Sequence, residues 1–212
     1  VVGYMSSGAV TNVYNLANIS GRNQIGGVIG RLDNGTVQKS YNAGDITASG
    51  NYAGGLIGYV NRGTISYTYN TGSIIGVEQV GGLIGYTNGS TSTNYSTVNY
   101  GYSVGTVAAG SATYVGGVIG YGAGSSSNGN VRNYLFYDLS VMNSFTPPSG
   151  KYKPTRAYGL RSDTGNVKSL DKGQMIGDQT LSAGYNANDW AFCANEGRWA
   201  FYPQLRNFAY SS

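Results

Sequence analysis

The side chains able to do chemistry in this 212-residue chain are few and scattered. There is no histidine and a single cysteine, Cys193. That excludes a Ser-His-Asp or Cys-His nucleophile, an H-E-x-x-H metal helix, a multi-cysteine zinc site and an internal disulfide. The first 137 residues hold three carboxylates, Asp33, Asp45 and Glu78. Calcium wants clustered oxygen ligands, and glycoside hydrolysis wants a carboxylate pair roughly 5–10 Å apart. Asp33 and Asp45 belong to one repeat unit but to different expected faces. The phrase "GGVIGYGAG" at 116–124 lacks the G-x-G-x-x-G spacing and lysine of a nucleotide loop. No catalytic residue, metal site or cofactor is expected.

What does recur at fixed spacing is tyrosine, of which there are 20. Tyr4, Tyr59, Tyr86 and Tyr121 share one place in a repeat, interrupted by Arg31. Tyr14, Tyr41, Tyr69 and Tyr102 share another, beside Asn15, Asn42 and Asn70. Tyrosine offers an apolar face and a polar tip. The set Tyr4, Tyr59, Tyr86 and Tyr121 is therefore a candidate stripe for a glycan or a host surface protein. The competing reading is structural: aromatic stacks and Asn ladders stabilise columns of aligned strands. Which tyrosine column faces outward depends on a bend expected midway along "TISYTYN".

These columns need elements that repeat. Gly-Gly pairs begin at Gly26, Gly54, Gly81 and Gly116, in "GGVIG", "GGLIGY", "GGLIGY" and "GGVIGY". The segments "GAVTNVYNLANI", "GTVQKSYNAGDI" and "GTISYTYNTGSI" align without a gap. The fourth unit is longer, with extra residues in "NGSTSTNYSTVNYG" and "AAGSATYV". The opening "VVGYM" enters mid-unit, so the chain reads as a piece of a longer polypeptide with other domains. Apolar columns follow: Val1/Val28/Leu56/Leu83/Val118, Val2/Ile29/Ile57/Ile84/Ile119, Val10/Val37/Ile65/Val98/Val131 and Ile19/Ile46/Ile74/Val107.

One such unit cannot enclose a core, but stacked units can. The expected fold is all-β: a parallel β-solenoid (β-helix) of about five coils, with three short strands per coil, over residues 1–141. The glycines are expected at its corners, taking positive φ and allowing close backbone approach; Gly58→Val should then be strongly destabilising. The rival is an antiparallel sandwich, suggested by Asn34-Gly35 and Asn88-Gly89, but hairpins do not require the same apolar columns in every unit. Residues 142–212 are expected as a linker and an irregular, aromatic-rich C-terminal cap. It holds Pro147, Pro148 and Pro154, a short helix near 171–182, and Trp190, Phe192, Trp199, Phe201 and Tyr202 over the last coil. Those aromatics could alternatively form a glycan platform.

Charge narrows the partners. Charged residues make up 10% and net charge is +4, spread without a basic run, so nucleic acid is not an expected partner. No apolar run reaches the length of a membrane span, so no membrane insertion is expected of this piece.

The phrases "GGVIGRLDNGTVQKSYNAGDI", "GGLIGYVNRGTISYTYNTGSI" and "GGLIGYTNGS" resemble the GLUG-motif repeats of bacterial surface and secreted proteins. The likeness covers residues 1 to about 137; "WAFCANEGRWAFYPQL" is similar to the segment that often closes such arrays. The resemblance implies an extracellular or cell-surface location, in adhesin-like chains or beside secreted proteases. It implies a non-catalytic role as a rigid spacer or binding surface. The alternative is a carbohydrate-active β-helix enzyme of the lyase or glycosidase type, which the scattered carboxylates disfavour.

Overall fold

The computed structural model describes residues 2–89, 95–123, 131–159, 167–176, 185, 188–191 and 202–206. The expected aromatics Phe192, Trp199 and Phe201, together with Val1 and Cys193, lie outside the described residues.

The chain is a parallel β-solenoid. Each turn contributes strands to separate sheets, and each strand pairs in parallel with its equivalent one repeat away. The first sheet holds Val2–Met5, Ile29–Leu32, Ile57–Val60, Ile84–Thr87 and Ile119–Gly122. The second holds Ala9–Thr11, Thr36–Asn42, Gly63–Asn70, Ser96–Ser103, Val131–Asp138 and Val167–Leu170. The third stacks Ile19–Gly21, Ile46–Ala48, Ile74–Ile75 and Val107–Ala108. A fourth stacks Ile25–Gly26, Asn51–Gly54, Glu78–Gly81 and Val115–Gly116. The expectation of three strands per coil is thus corrected to four. The missed one is short, and its repeated inward residue varies from Ile25 to Ala53, Val80 and Val115. Asn34-Gly35 makes no hairpin; it joins strands of two different sheets.

The register reproduces the apolar columns. Ile29, Ile57, Ile84 and Ile119 lie opposite one another, as do Ile46, Ile74 and Val107. Val28, Leu56, Leu83 and Val118 are fully buried in the same cluster as Val37, Ile65 and Val98. A separate cluster joins Ile46, Ile74 and Val107 to Ala53, Val80 and Val115. Val131 departs from its expected column: it opposes Thr97, and Arg132 opposes Val98. Arg132 donates to the Thr87 hydroxyl at 2.9 Å, and its guanidinium lies 5.2 Å from the Tyr158 ring centroid.

The second-sheet strand does bend midway. Asn12, Lys39, Tyr67, Tyr100 and Tyr134 all have φ between 48° and 60°. One left-handed residue in this strand of each coil shifts the in-out alternation by one place. Val37, Ser40 and Asn42 are buried, whereas Gln38, Lys39 and Tyr41 are only partly so. Such a conformation costs roughly 1–3 kcal/mol for a non-glycine residue. Stacking of Tyr67 on Tyr100 (5.1 Å) and of Tyr100 on Tyr134 (4.9 Å) offsets part of it.

The Gly-Gly glycines therefore do something other than expected. None of Gly26, Gly54, Gly81 and Gly116, nor of Gly30, Gly58, Gly85 and Gly120, has positive φ. They are needed for space. A Cβ on Gly58 would lie 2.5 Å from the Gln24 carbonyl carbon and 2.6 Å from the Ile25 nitrogen. The first and fourth sheets press together backbone to backbone there.

After Val141 the chain keeps stacking. Backbone amides of Gly117 and Val118 donate to carbonyls of Arg156 and Ala157, and Val167–Leu170 adds a parallel strand beside Val131–Asp138. Helix Leu139–Ser144 starts on buried Asp138, whose carboxylate accepts from the Ser140 and Val141 amides. Of the helix expected near 171–182, Lys172–Ile176 is described. Leu170, Met175, Tyr185, Trp190 and Leu205 form an outer cluster over Tyr69, Tyr102 and Phe136.

Candidate functional site: the tyrosine face

Strands of the first sheet carry the predicted stripe. Tyr4, Arg31, Tyr59, Tyr86 and Tyr121 lie in one register column. Parallel in-register pairing holds equivalent side chains about 4.8 Å apart, which is the spacing of stacked rings. Tyr59 stacks on Tyr86 at 4.9 Å, and Tyr86 on Tyr121 at 5.5 Å. Where Arg31 interrupts, its guanidinium takes the place of a ring, 5.0 Å from the Tyr59 centroid and 5.9 Å from that of Tyr4.

The polar ends of this column are tied to one carboxylate. Asp33 accepts from Arg31 Nε at 2.7 Å and from the Tyr4 hydroxyl at 2.7 Å. The Arg31 hydrogen bond holds the Asp33 carboxyl below its usual range, and the bond to Asp33 raises the Tyr4 hydroxyl. Burial raises Tyr59 and pushes Tyr86 up to about 12. Tyr4, Tyr59 and Tyr86 are therefore phenols, not phenolates, at neutral pH.

A second row flanks the first. Tyr52 meets Tyr59 and Tyr86 edge-on at 5.4 and 5.2 Å, and Tyr114 meets Tyr121 edge-on at 5.2 Å. Tyr52 and Tyr114 each stand two residues before a Gly-Gly pair; that constant offset was the available signal, diluted by Gln24 and Gln79 in the other units. The result is a ribbed aromatic face. Its ring faces cover one another, so edges and hydroxyls reach solvent. Tyr4 is 58% exposed, while Tyr59, Tyr86 and Tyr121 are half-buried.

The other column is not a free surface. Tyr14, Tyr41, Tyr69 and Tyr102 stack at 5.4, 4.7 and 5.2 Å, but Trp190 tilts onto Tyr69 and Tyr102. Tyr102 is 1% exposed, and its hydroxyl donates to the Pro203 carbonyl. Beside it runs the Asn ladder. Asn15 Nδ2 donates to Asn42 Oδ1 (2.7 Å), Asn42 Nδ2 to Asn70 Oδ1 (2.8 Å), and Asn70 Nδ2 to Ser103 Oγ (3.3 Å).

The structure assembles no carboxylate pair from the residues named above. Asp33 is engaged by Arg31 and Tyr4, and Asp45 Oδ1 accepts from the Ser73 amide at 2.8 Å. Among the described residues no group of His, Cys, Asp and Glu could hold a metal ion. No helix among them is long and apolar enough to cross a membrane.

Register, ladders and cores together define the chain as a parallel β-solenoid built on internal repeats. Compared with known proteins, it matches no family model, no curated protein and no solved structure.

Proposed function

We propose that the chain is a non-catalytic, rod-forming repeat region of a bacterial cell-surface or secreted protein, of the GLUG-motif kind. It spaces other domains of a longer parent chain and presents its tyrosine face to a host surface protein or glycan. One observation carries this reading: the recurrent polar and aromatic side chains are engaged by their own equivalents one coil away, in stacks and amide ladders. Side chains locked in such columns stiffen a rod and are not poised to attack a substrate. The covered ring faces favour contact through tyrosine edges and hydroxyls, as suits a protein partner.

The test has two arms. The purified chain, incubated with polyuronates and mixed glycans, should release no sugar; reproducible release would refute the non-catalytic role. Wild type and the Tyr59→Ala/Tyr86→Ala double variant should differ in adhesion to host cells and in signal on a glycan array. Equal signal from both would remove the tyrosine face from the reading and leave the spacer. An antibody raised to the chain should label intact source cells.

A further inference from the structure

The long fourth unit interrupts the repeat, and this break leaves a tyrosine outside the ladders. Tyr95 enters the strand Ser96–Ser103 at a corner of the rod. Its register partners one and two coils back are Arg62 and Asn34, as fixed by Gly63 opposite Ser96 and Thr64 opposite both Thr97 and Thr36. The column thus runs asparagine, arginine, tyrosine. Tyr95 is 44% exposed, and no ring stacks on it among the described residues.

These three side chains line an open depression of about 320 Å³ with Thr36, Thr64, Gly35 and Gly63. That volume is at the lower end for small-molecule sites, roughly 300–1,000 Å³. Gly35 and Gly63 have φ of 136° and 152°. A Cβ on Gly63 would lie 2.6 Å from the Gly35 oxygen, so a side chain there would intrude on the floor between the two coils.

Its chemistry is not spent internally. Arg62 donates from Nε to Asn34 Oδ1 at 3.2 Å, which orients the guanidinium and leaves both Nη groups without a partner among the described residues. The same bond leaves Asn34 Nδ2 available. The Thr36 and Thr64 hydroxyls stand beside it. Among the described residues, Arg62 is the only charged one lining the depression. Neighbouring Asp33 is already neutralised by Arg31.

We propose that this corner binds a carboxylate-bearing sugar residue, such as a uronate or a sialate at the end of a glycan. The guanidinium fork matches a carboxylate in two parallel hydrogen bonds. The Tyr95 ring, 44% exposed and with no ring stacked on it among the described residues, offers the apolar face that a pyranose needs, and the amide and hydroxyls pair with ring hydroxyls. This site is separate from the tyrosine ladder and does not depend on it.

The test is NMR titration of the labelled chain with a glucuronate-ended disaccharide, a neutral disaccharide and inorganic sulfate. The acidic sugar should give saturable shifts at the Gly35, Gly63 and Tyr95 amides. The neutral sugar should bind roughly tenfold more weakly, and so should Arg62→Ala with the acidic one, as loss of a charge-assisted pair predicts. Tyr95→Ala should weaken both sugars, and Tyr95→Phe should keep both. No saturable shift at those amides, or equal affinity for the two sugars, would overturn the proposal. Sulfate producing the same shifts would reduce the site to an anion contact and overturn it too. Unchanged melting of both alanine variants separates lost binding from lost fold; if either melts lower, Arg62→Gln and Tyr95→Leu replace them. A failure here leaves the rod and its tyrosine face untouched.

Discussion

Asn42 is the central rung of the amide ladder, and its removal should be the most informative single cut. It is fully buried. Its Nδ2 donates to Asn70 Oδ1 at 2.8 Å and to the Gly44 carbonyl at 2.6 Å, and its Oδ1 accepts from Asn15 at 2.7 Å. Asn42→Ala deletes three hydrogen bonds worth about 1 kcal/mol each net, and strands Asn70 Oδ1 and the Gly44 oxygen at about 1–3 kcal/mol apiece if no water enters. Counting each stranded oxygen in place of the bond it loses, the expected loss is about 3–7 kcal/mol. Asn42→Asp keeps the shape but replaces two donations with repulsion between oxygens. Burial and neighbouring acceptors raise such a carboxyl above its ordinary value of about 3.9. Between the unfolded and native pKa the native state then holds the extra proton. The variant's stability relative to wild type is therefore greatest below about pH 3.9 and falls as pH rises through the native pKa. Denaturant unfolding at acid and neutral pH measures this. Each coil touches only its neighbours, so amide exchange should localise the loss to the coils holding Asn15 and Asn70. A cost under about 1 kcal/mol for Asn42→Ala, or Asn42→Asp as stable as wild type at neutral pH, would refute the ladder's structural role.

Gly58→Ala should cost about 2–3 kcal/mol in denaturant unfolding through backbone overlap, whereas Gly150→Ala, with open space but φ of 72°, should cost only about 1 kcal/mol of strain. Tyrosinate absorbance should show a late rise in alkali, from Tyr86 at about 12 and the buried Tyr102 and Tyr185 higher still. Because these native values are raised, their stabilisation is complete below the unfolded value of about pH 10 and is lost as pH climbs through them; circular dichroism should fall with that late rise. Tyr102→Phe breaks the hydrogen bond to Pro203 and should cost about 1 kcal/mol, with faster amide exchange at Gln204 and Leu205 but not at Ile29 or Ile57.

The sequence made the columns legible because parallel register converts period into contact: Ile29, Ile57 and Ile84 could only recur at that spacing if they stack. The tyrosine columns followed for the same reason. Glycine was harder. A recurring Gly shows that something forbids a side chain, not whether the obstacle is φ or space, and at Gly58 it is space. The left-handed column Asn12, Lys39, Tyr67, Tyr100 and Tyr134 carried no residue signature beyond its asparagine. Its position did carry a clue. Val37, Ile65 and Val98 each stand two residues before the bend residue, and Val131 stands three before Tyr134, which is why Arg132 takes the core column there. The fourth strand escaped because two to four residues with a changing inward side chain leave no period to read. The corner depression escaped because Asn34, Arg62 and Tyr95 share a column without sharing chemistry.

That last difference bears on where such a rod can act. Identical residues in register satisfy one another: an Asn donates to the Asn above it, and a Tyr covers the face of the Tyr below. The more regular the ladder, the less of its chemistry is left for a ligand. A column of unlike residues closes on itself only where the partners happen to fit, as Arg31 does against Tyr59. Arg62 gives Asn34 one of its donors, and among the described residues no ring or cation is stacked on Tyr95. In a solenoid whose stability comes from repetition, recognition is therefore expected where the repetition lapses. Evolving a new specificity would need changes in one corner column, with the core columns left intact. Replacing Arg62 and Tyr95 together with Asn, to give a column of like residues, should accordingly abolish acidic-sugar binding while leaving the melting temperature nearly unchanged. Retained binding in that variant would argue that the lapse in the ladder does not make the site.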